Sequence, residues 1–319
     1  MEMPFALKQA AEKLAEDLKP HEIKKHAEQI SCRYRDKNAP ARSVSGAAES
    51  AAYAVSRMPA TFGAVSAVLR QAASFKELNP ETMIDAGSGT GAAVWAAACF
   101  FNLKHILCLE REEALRRAGQ KLSRAGADFF KTAPVWQEFD LTSSPLTQTA
   151  DLVTACYVLN ELNEESREDA LLKLWRAAKQ TLVIVEPGTP ENFLEMKSFR
   201  SFLIKQGAFI AAPCPHQNAC PDDWCHFGCR VARSRLHRVS KDGSAPFEDE
   251  KFTYLIAVRE KREPAGARIL RRPLIGKGKV TLSLCAPQGL TEKTVSKKDG
   301  EIYKKARKAD WGDIFNPTE

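Results

Sequence analysis

Apolar residues fall into three successive patterns along this chain. Over residues 1 to about 75 they are spaced for helices. Phe5, Leu7, Leu14 and Leu18 stand between lysines and glutamates, and an alanine-rich stretch over 43–73 runs into the apolar segment 61–69. Pro40, Pro59 and Gly63 punctuate it. This region is read in two ways, as packing against the next domain or as a clamp for RNA. At Thr82 the pattern changes to short apolar runs alternating with amphipathic stretches. Strands are predicted at 82–85, 105–110, 135–139, 151–157 and 181–185, with helices at 92–101, 112–125 and 164–178. That alternation predicts a mostly parallel, doubly wound sheet, whose ligands bind at the carboxyl ends of the strands. A helix is predicted at 191–206, then a cysteine-rich segment at 213–229. The alternation Phe252, Tyr254, Ile256, Val258 marks a strand at 251–259, and a last strand at 279–284 delivers Cys285 at its end.

Composition narrows the picture. Hydrophobic residues make up 44% of the 319, ordinary for a globular protein, and no apolar run approaches the roughly 18 residues that span a bilayer. The N-terminus mixes Lys and Glu, without an apolar core or a small-residue cleavage site. These features lead to the expectation of a soluble, cytoplasmic protein that makes no membrane contact and is a monomer when free. Nine cysteines is an odd number, which argues against a disulfide framework. Cys99, Cys108 and Cys156 sit in apolar runs, where buried thiols are expected. The charge is one-sided: residues 191–319 hold 24 Lys and Arg against 16 Asp and Glu, while the rest holds 23 against 24. The C-terminal excess suits a polyanion partner or, more blandly, a solvated basic face.

Asp85-Ala86-Gly87-Ser88-Gly89-Thr90-Gly91 lies between a predicted strand and a predicted helix. Glycines there let the turn close and let the backbone approach a ligand. Glu110 ends the next strand, where an acidic side chain can hold ribose hydroxyls. A nicotinamide cofactor, S-adenosylmethionine and a purely structural turn compete for this geometry. The D-x-G-x-G-x-G form resembles the first motif of class I methyltransferases. That resemblance implies S-adenosylmethionine, with Asp85 supporting its methionine end, Gly87, Ser88, Gly89 and Gly91 forming the loop, Glu110 on the ribose and Asp140 near the adenine. After the fourth strand, Tyr157-Val158-Leu159-Asn160-Glu161-Leu162 replaces the Asn/Asp-Pro-Pro-aromatic motif of amino-methylating enzymes. Asn160 and Glu161 line the substrate mouth, or Asn160 caps a helix. Cys156 follows Ala155 rather than a proline and reads as a core cysteine. No catalytic residue is assigned.

Cys214, Cys220, Cys225 and Cys229 fall within 16 residues that also hold His216 and His226, with prolines at 213, 215 and 221. Thiolates suit zinc or iron–sulfur clusters. The gaps of five, four and three residues fit poorly with the paired C-x(2–4)-C knuckles of structural zinc. A cluster also takes a fourth thiolate from a distance, for which Cys285 and Cys229 are both candidates. His216 and His226 are read as donors to the ligand thiolates or as turn residues.

The run Cys214-Pro215-His216, Cys220-Pro221 and Trp224-Cys225-His226-Phe227, followed by Arg233-Ser234-Arg235-Leu236-His237-Arg238, resembles a methyltransferase-like family of mitochondrial small-ribosomal-subunit proteins and their bacterial relatives. Phe247 to Leu255, Leu284-Cys285 and Ala306 to Asp313 extend the likeness, which covers roughly residues 40–313. The resemblance implies a 4Fe-4S cluster on Cys214, Cys220, Cys225 and Cys285. It also implies assembly of the small ribosomal subunit through its ribosomal RNA. Arg230, Arg233, Arg235 and Arg238 are spaced to share a helix face aimed at phosphates, and residues 261–310 hold 14 Lys and Arg against 5 Asp and Glu.

The expected fold is therefore α/β. A helical region at 1–75 leads into an S-adenosylmethionine-binding, Rossmann-like class I methyltransferase sheet at 76–210. Residues 211–319 carry a cysteine-bound metal-cluster segment, the last strands and a basic tail. Two other functions stand beside an RNA-directed assembly factor: an active rRNA methyltransferase, and a zinc-stapled RNA-binding module on a vestigial fold. A radical S-adenosylmethionine enzyme is set aside because its C-x3-C-x2-C loop is missing.

Overall fold

The computed structural model describes residues 2–35, 44–221, 223–241, 243–262 and 266–316. Pro40 and Ser43 of the expected N-terminal pattern lie outside them. In chain order the elements are α1 (Phe5–Leu14), α2 (Pro20–Arg35), α3 (Gly46–Ser56), α4 (Met58–Ala73), β1 (Thr82–Ala86), α5 (Ala92–Ala98), β2 (His105–Glu110), α6 (Glu113–Ala125), β3 (Val135–Glu138), β4 (Ala150–Cys156), α7 (Glu164–Ala177) and β5 (Ala178–Pro187). There follow α8 (Pro190–Lys205), β6 (Phe209–Ala212), β7 (Phe227–Ala232), α9 (Arg235–Ser240), β8 (Phe247–Val258), β9 (Ala267–Ile269), β10 (Leu274–Gly276), β11 (Lys279–Ala286), β12 (Gly289–Ser296), α10 (Glu301–Lys308) and β13 (Ile314–Phe315). They form two compact units, Met1–Glu186 with Cys229–Glu250, and Pro187–Gly228 with Lys251–Glu319.

The first unit is built on a parallel sheet with strand order β3-β2-β1-β4-β5. Thr82 pairs with His105 on one side of β1 and Met83 with Leu152 on the other. The order reverses between β1 and β4, which opens a crevice at the carboxyl ends of those strands. This is a Rossmann-like, doubly wound parallel sheet. Its inner strands are apolar on both faces, as parallel strands covered by helices must be. The covering helices read directly from sequence. α6 buries Leu115, Ala118 and Leu122 on one stripe, and α7 starts where the Asn163 side chain accepts from Ser166 N. The N-terminal helices do pack against the rest of the unit: α4 lies on α5, α1 and α3 lie on α6, and α2 and α3 also meet α9.

The arginine run at 230–238 is not one helix. Arg230 ends up on β7 and Arg233 in the following loop, and only Arg235 and Arg238 reach α9, which Ser234 caps through His237 N. Arg230 is held by Asp249 at 2.8 Å and Arg233 by Glu248 at 2.8 Å. Acidic residues on β8 thus claim two of the four guanidiniums that spacing alone aimed at phosphates.

The second unit pairs β6 antiparallel with the last residues of β8. It also holds a five-stranded antiparallel sheet, β10-β11-β9-β13, with β12 on β11. Ile269, Val280, Leu282, Leu284, Val295 and Tyr303 form its core. β12 escapes sequence reading because Val295 is its one fully buried residue. Part of the basic tail folds as α10, which turns Tyr303 and Ala306 inward. No helix among the described residues is long and apolar enough to cross a membrane.

Candidate functional site

The glycine loop closes as a ligand cradle. Gly87, Gly89 and Gly91 take φ of +69°, +55° and +90°, a region costly for other L-residues. Gly87 N and Ser88 N both donate to Leu109 O, at 2.8 and 3.0 Å, which ties the loop to β2. A Cβ at Gly87 would stand 2.5 Å from a methyl of Val158. Above the loop is a cavity of about 640 Å³, whose lining includes Gly87, Gly89, Glu110, Asp140, Tyr157 and Asn160. Gly91 instead caps α5.

The three acidic residues differ in how far their bonding capacity is used. Asp85 is buried on β1; its Oδ1 accepts from Thr154 Oγ1 at 2.5 Å. Its Oδ2 has no hydrogen-bond partner among the described residues. Burial pushes its acid up to about 7, against the pull of Thr154 and Ser88. Glu110 accepts Gly89 N at 2.7 Å and Glu112 N at 2.8 Å, one on each oxygen. Burial raises it too, and those two amides oppose the rise. A carboxylate offers about four acceptor positions, so Glu110 keeps room for hydroxyls. Asp140 accepts the Thr142 hydroxyl at 2.6 Å and Thr142 N at 2.9 Å. The bond from that hydroxyl, ahead of other effects, holds its acid below the ordinary range.

Sequence reasoning missed three tyrosines that line this cavity: Tyr34 on α2, Tyr53 on α3, and Tyr157 just past β4. Nothing in their local pattern marks the first two, because helix packing brings them in. Tyr157 is the one non-glycine residue with positive φ among the described residues, at +58°, and its hydroxyl donates to Glu250 Oε1 at 3.0 Å. Its substitution for the usual motif was the available signal. Asn160 and Glu161 both line the cavity. The cap of α7 is Asn163, so the helix-cap alternative for Asn160 falls. Cys108 and Cys156 are buried as expected, but Cys99 is exposed. Cys99 is corrected because α5 stops at Ala98, which leaves its thiol beyond the buried stripe, bonded to Trp95 O.

The cysteines of the second unit come together from two stretches of chain. Cys214, Cys220, Cys225 and Cys285 line one small pocket with His216 and Arg268. β11 brings Cys285 opposite Arg268 on β9. Burial first, then the neighbouring thiols of Cys214, Cys220 and Cys285, pushes Cys225 well above the ordinary thiol range. Cys285 is pushed up to about 12, again mainly by burial and then by Cys214 and Cys220. Arg200 Nε donates to Cys214 Sγ at 3.3 Å. His216 Nε2 lies 3.5 Å from Cys285 Sγ, and its Nδ1 is buried without a partner among the described residues. His226 stacks on Trp224, with ring centroids 3.8 Å apart. Among the described residues no group of three or more His, Cys, Asp or Glu converges so as to hold a single metal ion. Cys229 stands in the first unit, on β7 beside Gly63.

Comparison with known proteins adds what geometry does not. The family model described as mitochondrial small ribosomal subunit Rsm22 matches residues 47–316. The human "Ribosome assembly protein METTL17, mitochondrial" is 28% identical over 284 residues, covering 82% of this chain and 61% of that protein. "Rsm22-cox11 tandem protein 2, mitochondrial" of Schizosaccharomyces pombe is 29% identical over 215 residues, covering 51% and 29%. The chain thus spans less than two thirds of the length of either relative. Among solved structures, magnesium protoporphyrin IX methyltransferase (ChlM) of Synechocystis PCC 6803 with bound SAM aligns at TM-score 0.43 and 16% identity, over 63% of this chain and 80% of that one. A likeness that loose carries no argument. The expectation of a cytoplasmic protein is overturned, because these relatives are mitochondrial by name. That expectation rested on the composition of the N-terminus and on the lack of a bilayer-length apolar run, neither of which tells one aqueous compartment from another. With most of its length matched, the chain belongs to the mitochondrial small ribosomal subunit Rsm22 family.

Proposed function

We propose that this chain is a mitochondrial small-subunit assembly factor that binds S-adenosylmethionine in the glycine-loop cavity. In this reading it holds a four-iron cluster on Cys214, Cys220, Cys225 and Cys285, and contacts small-subunit ribosomal RNA through its basic C-terminal part. The single observation that carries the reading is the shared pocket of those four thiols, in a chain whose family is ribosomal.

The residues present fit both groups. The unpartnered Asp85 Oδ2 supplies an anion for an ammonium at the methionine end. Glu110 retains acceptor positions for ribose hydroxyls, and Asp140 stands at the cavity wall for the adenine side. Cysteine thiols are the ligands that iron–sulfur clusters select. A four-iron cluster gives each thiolate its own iron, so the sulfurs need not converge on one point as zinc would require. When bound, the cofactor supplies an electrophilic methyl group and the cluster a covalent crosslink between the 214–225 loop and β11. The chain's own residues orient the first through Glu110 and Asp85 and brace the second through Arg200 and His216.

Protein prepared without oxygen should contain iron and acid-labile sulfide in equal amounts and bind one S-adenosylmethionine. Zinc without sulfide would overturn the cluster and favour the stapled module. An active rRNA methyltransferase is the second reading, favoured by the left-handed backbone of Tyr157 at the cavity wall, since strain of this kind gathers at working sites. Incubation with labelled cofactor and small-subunit RNA decides it: label on a defined nucleotide makes the chain an enzyme.

A further inference from the structure

We infer that Arg200 is the counter-charge of the cysteine-bound centre: its guanidinium, buried against Cys214, balances negative charge that the ligand thiolates bring into the pocket, and so raises the centre's reduction potential. The inference rests on the cluster reading above and goes beyond it by giving the second unit's buried arginine a role.

Phe193, Met196, Phe199 and Leu203 form the buried stripe of α8, and Arg200 occupies the same stripe at 3% exposure. An apolar side chain there would serve packing better, since a buried charge is expensive unless paired. Arg200 Nε donates to Cys214 Sγ at 3.3 Å and Nη2 to His216 O at 2.8 Å. Among the described residues no carboxylate pairs with it. A carbonyl and a neutral thiol do not offset a full positive charge. A thiolate-ligated centre does, because net charge and hydrogen bonds to the sulfurs are what set such a centre's potential. Arg268, also buried, lines the same pocket and donates to Pro213 O and Gly312 O. Asp223, the carboxylate of that lining, is engaged by Arg271 at 2.6 Å, so the guanidinium in hydrogen-bond contact with a ligand thiol is that of Arg200.

Arg200 is a positioning residue, and its test turns on a sign. Arg200→Met keeps length and removes charge. In loaded protein it should lower the midpoint potential and weaken retention against a chelator by roughly 10–100-fold. In metal-stripped protein the same substitution should leave the melting temperature unchanged or raise it, because it removes a buried charge that lacks a partner. Arg200→Lys should recover most of the potential and less of the retention, since it keeps charge but loses the directed N–H. A structural arginine would lower both melting temperatures together, and that result overturns the inference. Equal potential and equal retention in Arg200→Met and the parent chain overturn it as well, and leave the cluster reading intact. If the parent chain loads only zinc, the cluster reading fails alone, and the retention comparison still decides the counter-charge. A parent chain that takes up neither iron–sulfide nor zinc overturns both. Should Arg200→Met not fold in either form, the role is structural and the inference is wrong.

Discussion

The glycine-loop cavity and the cysteine pocket solve the problem of buried polar groups in opposite ways. In the first unit the backbone does the work. Leu109 O takes two loop amides, and Glu110 takes the amides of Gly89 and Glu112. The cradle is thus preformed, with Asp85 Oδ2 and Thr90 Oγ1 left over in the loop among the described residues. In the second unit four thiols, one of them buried and three half-buried, share a pocket beside a buried guanidinium. A preformed cradle costs little to keep empty. If the second pocket holds the proposed cluster, its thiols and the buried Arg200 are held together by what binds there. The first unit should therefore be indifferent to ligand loss and the second should not.

The strongest test of that contrast is Cys220→Ser. Apparent metal-binding free energies for structural sites are on the order of 10 kcal/mol, comparable with the whole stability of a domain. The variant should lose visible absorption, and amides of β9 and β11 should lose protection from hydrogen exchange. Amides of β1 and β2 should keep theirs, together with binding of S-adenosylmethionine. Protection lost evenly across both units would break the comparison.

The reverse experiment is smaller. Gly87→Ala puts a side chain at φ +69° and drives its Cβ to 2.5 Å from Val158. The left-handed backbone alone costs about 1–2 kcal/mol, and Val158 must also move from the cavity wall. Calorimetry should find cofactor binding abolished while iron and sulfide content stays at the parent value. A variant that binds normally would mean that the loop is only a structural turn.

The same contrast explains what the sequence made legible. The glycine loop and Glu110 stand out by their place just past a strand and at the end of one, so strand periodicity and spacing mark them, whereas the role expected of Asp85 came from the resemblance. Cys214, Cys220 and Cys225 stand out by their clustering and Cys285 only by resemblance, since no local rule brings Cys285 to Cys214. Tyr34, Tyr53 and Arg200 stayed hidden because only tertiary packing gives them meaning. A lone arginine on an apolar helix stripe looks like an ordinary interruption until the thiol beside it is known. The arginines at 230–238 failed for a related reason: helical spacing is blind to the Asp249 and Glu248 partners supplied by β8.

Asp85 offers the finest test, because there a buried ionisable group of the first unit keeps an oxygen without a partner among the described residues. Its acid stands at about 7 when folded, against 3.8 ordinarily. Between those values the folded chain holds a proton that the unfolded chain has released. Stability of the ligand-free unit should therefore fall as pH rises from about 4 to about 7, by at most about 1.4 kcal/mol per pH unit. A ligand ammonium favours the carboxylate, so binding releases that proton. Affinity for S-adenosylmethionine should then rise with pH, by at most tenfold per unit, and level off above about 7. Asp85→Asn should bind more weakly and flatten this profile, the remaining slope being that of Glu110, whose charge acts on Asp85 in the parent chain. Calorimetry in two buffers of different ionisation enthalpy reads the proton directly. A parent chain whose affinity is flat across that range would show that Asp85 meets no charged group, and the cavity would then be as self-contained as its backbone bonds suggest.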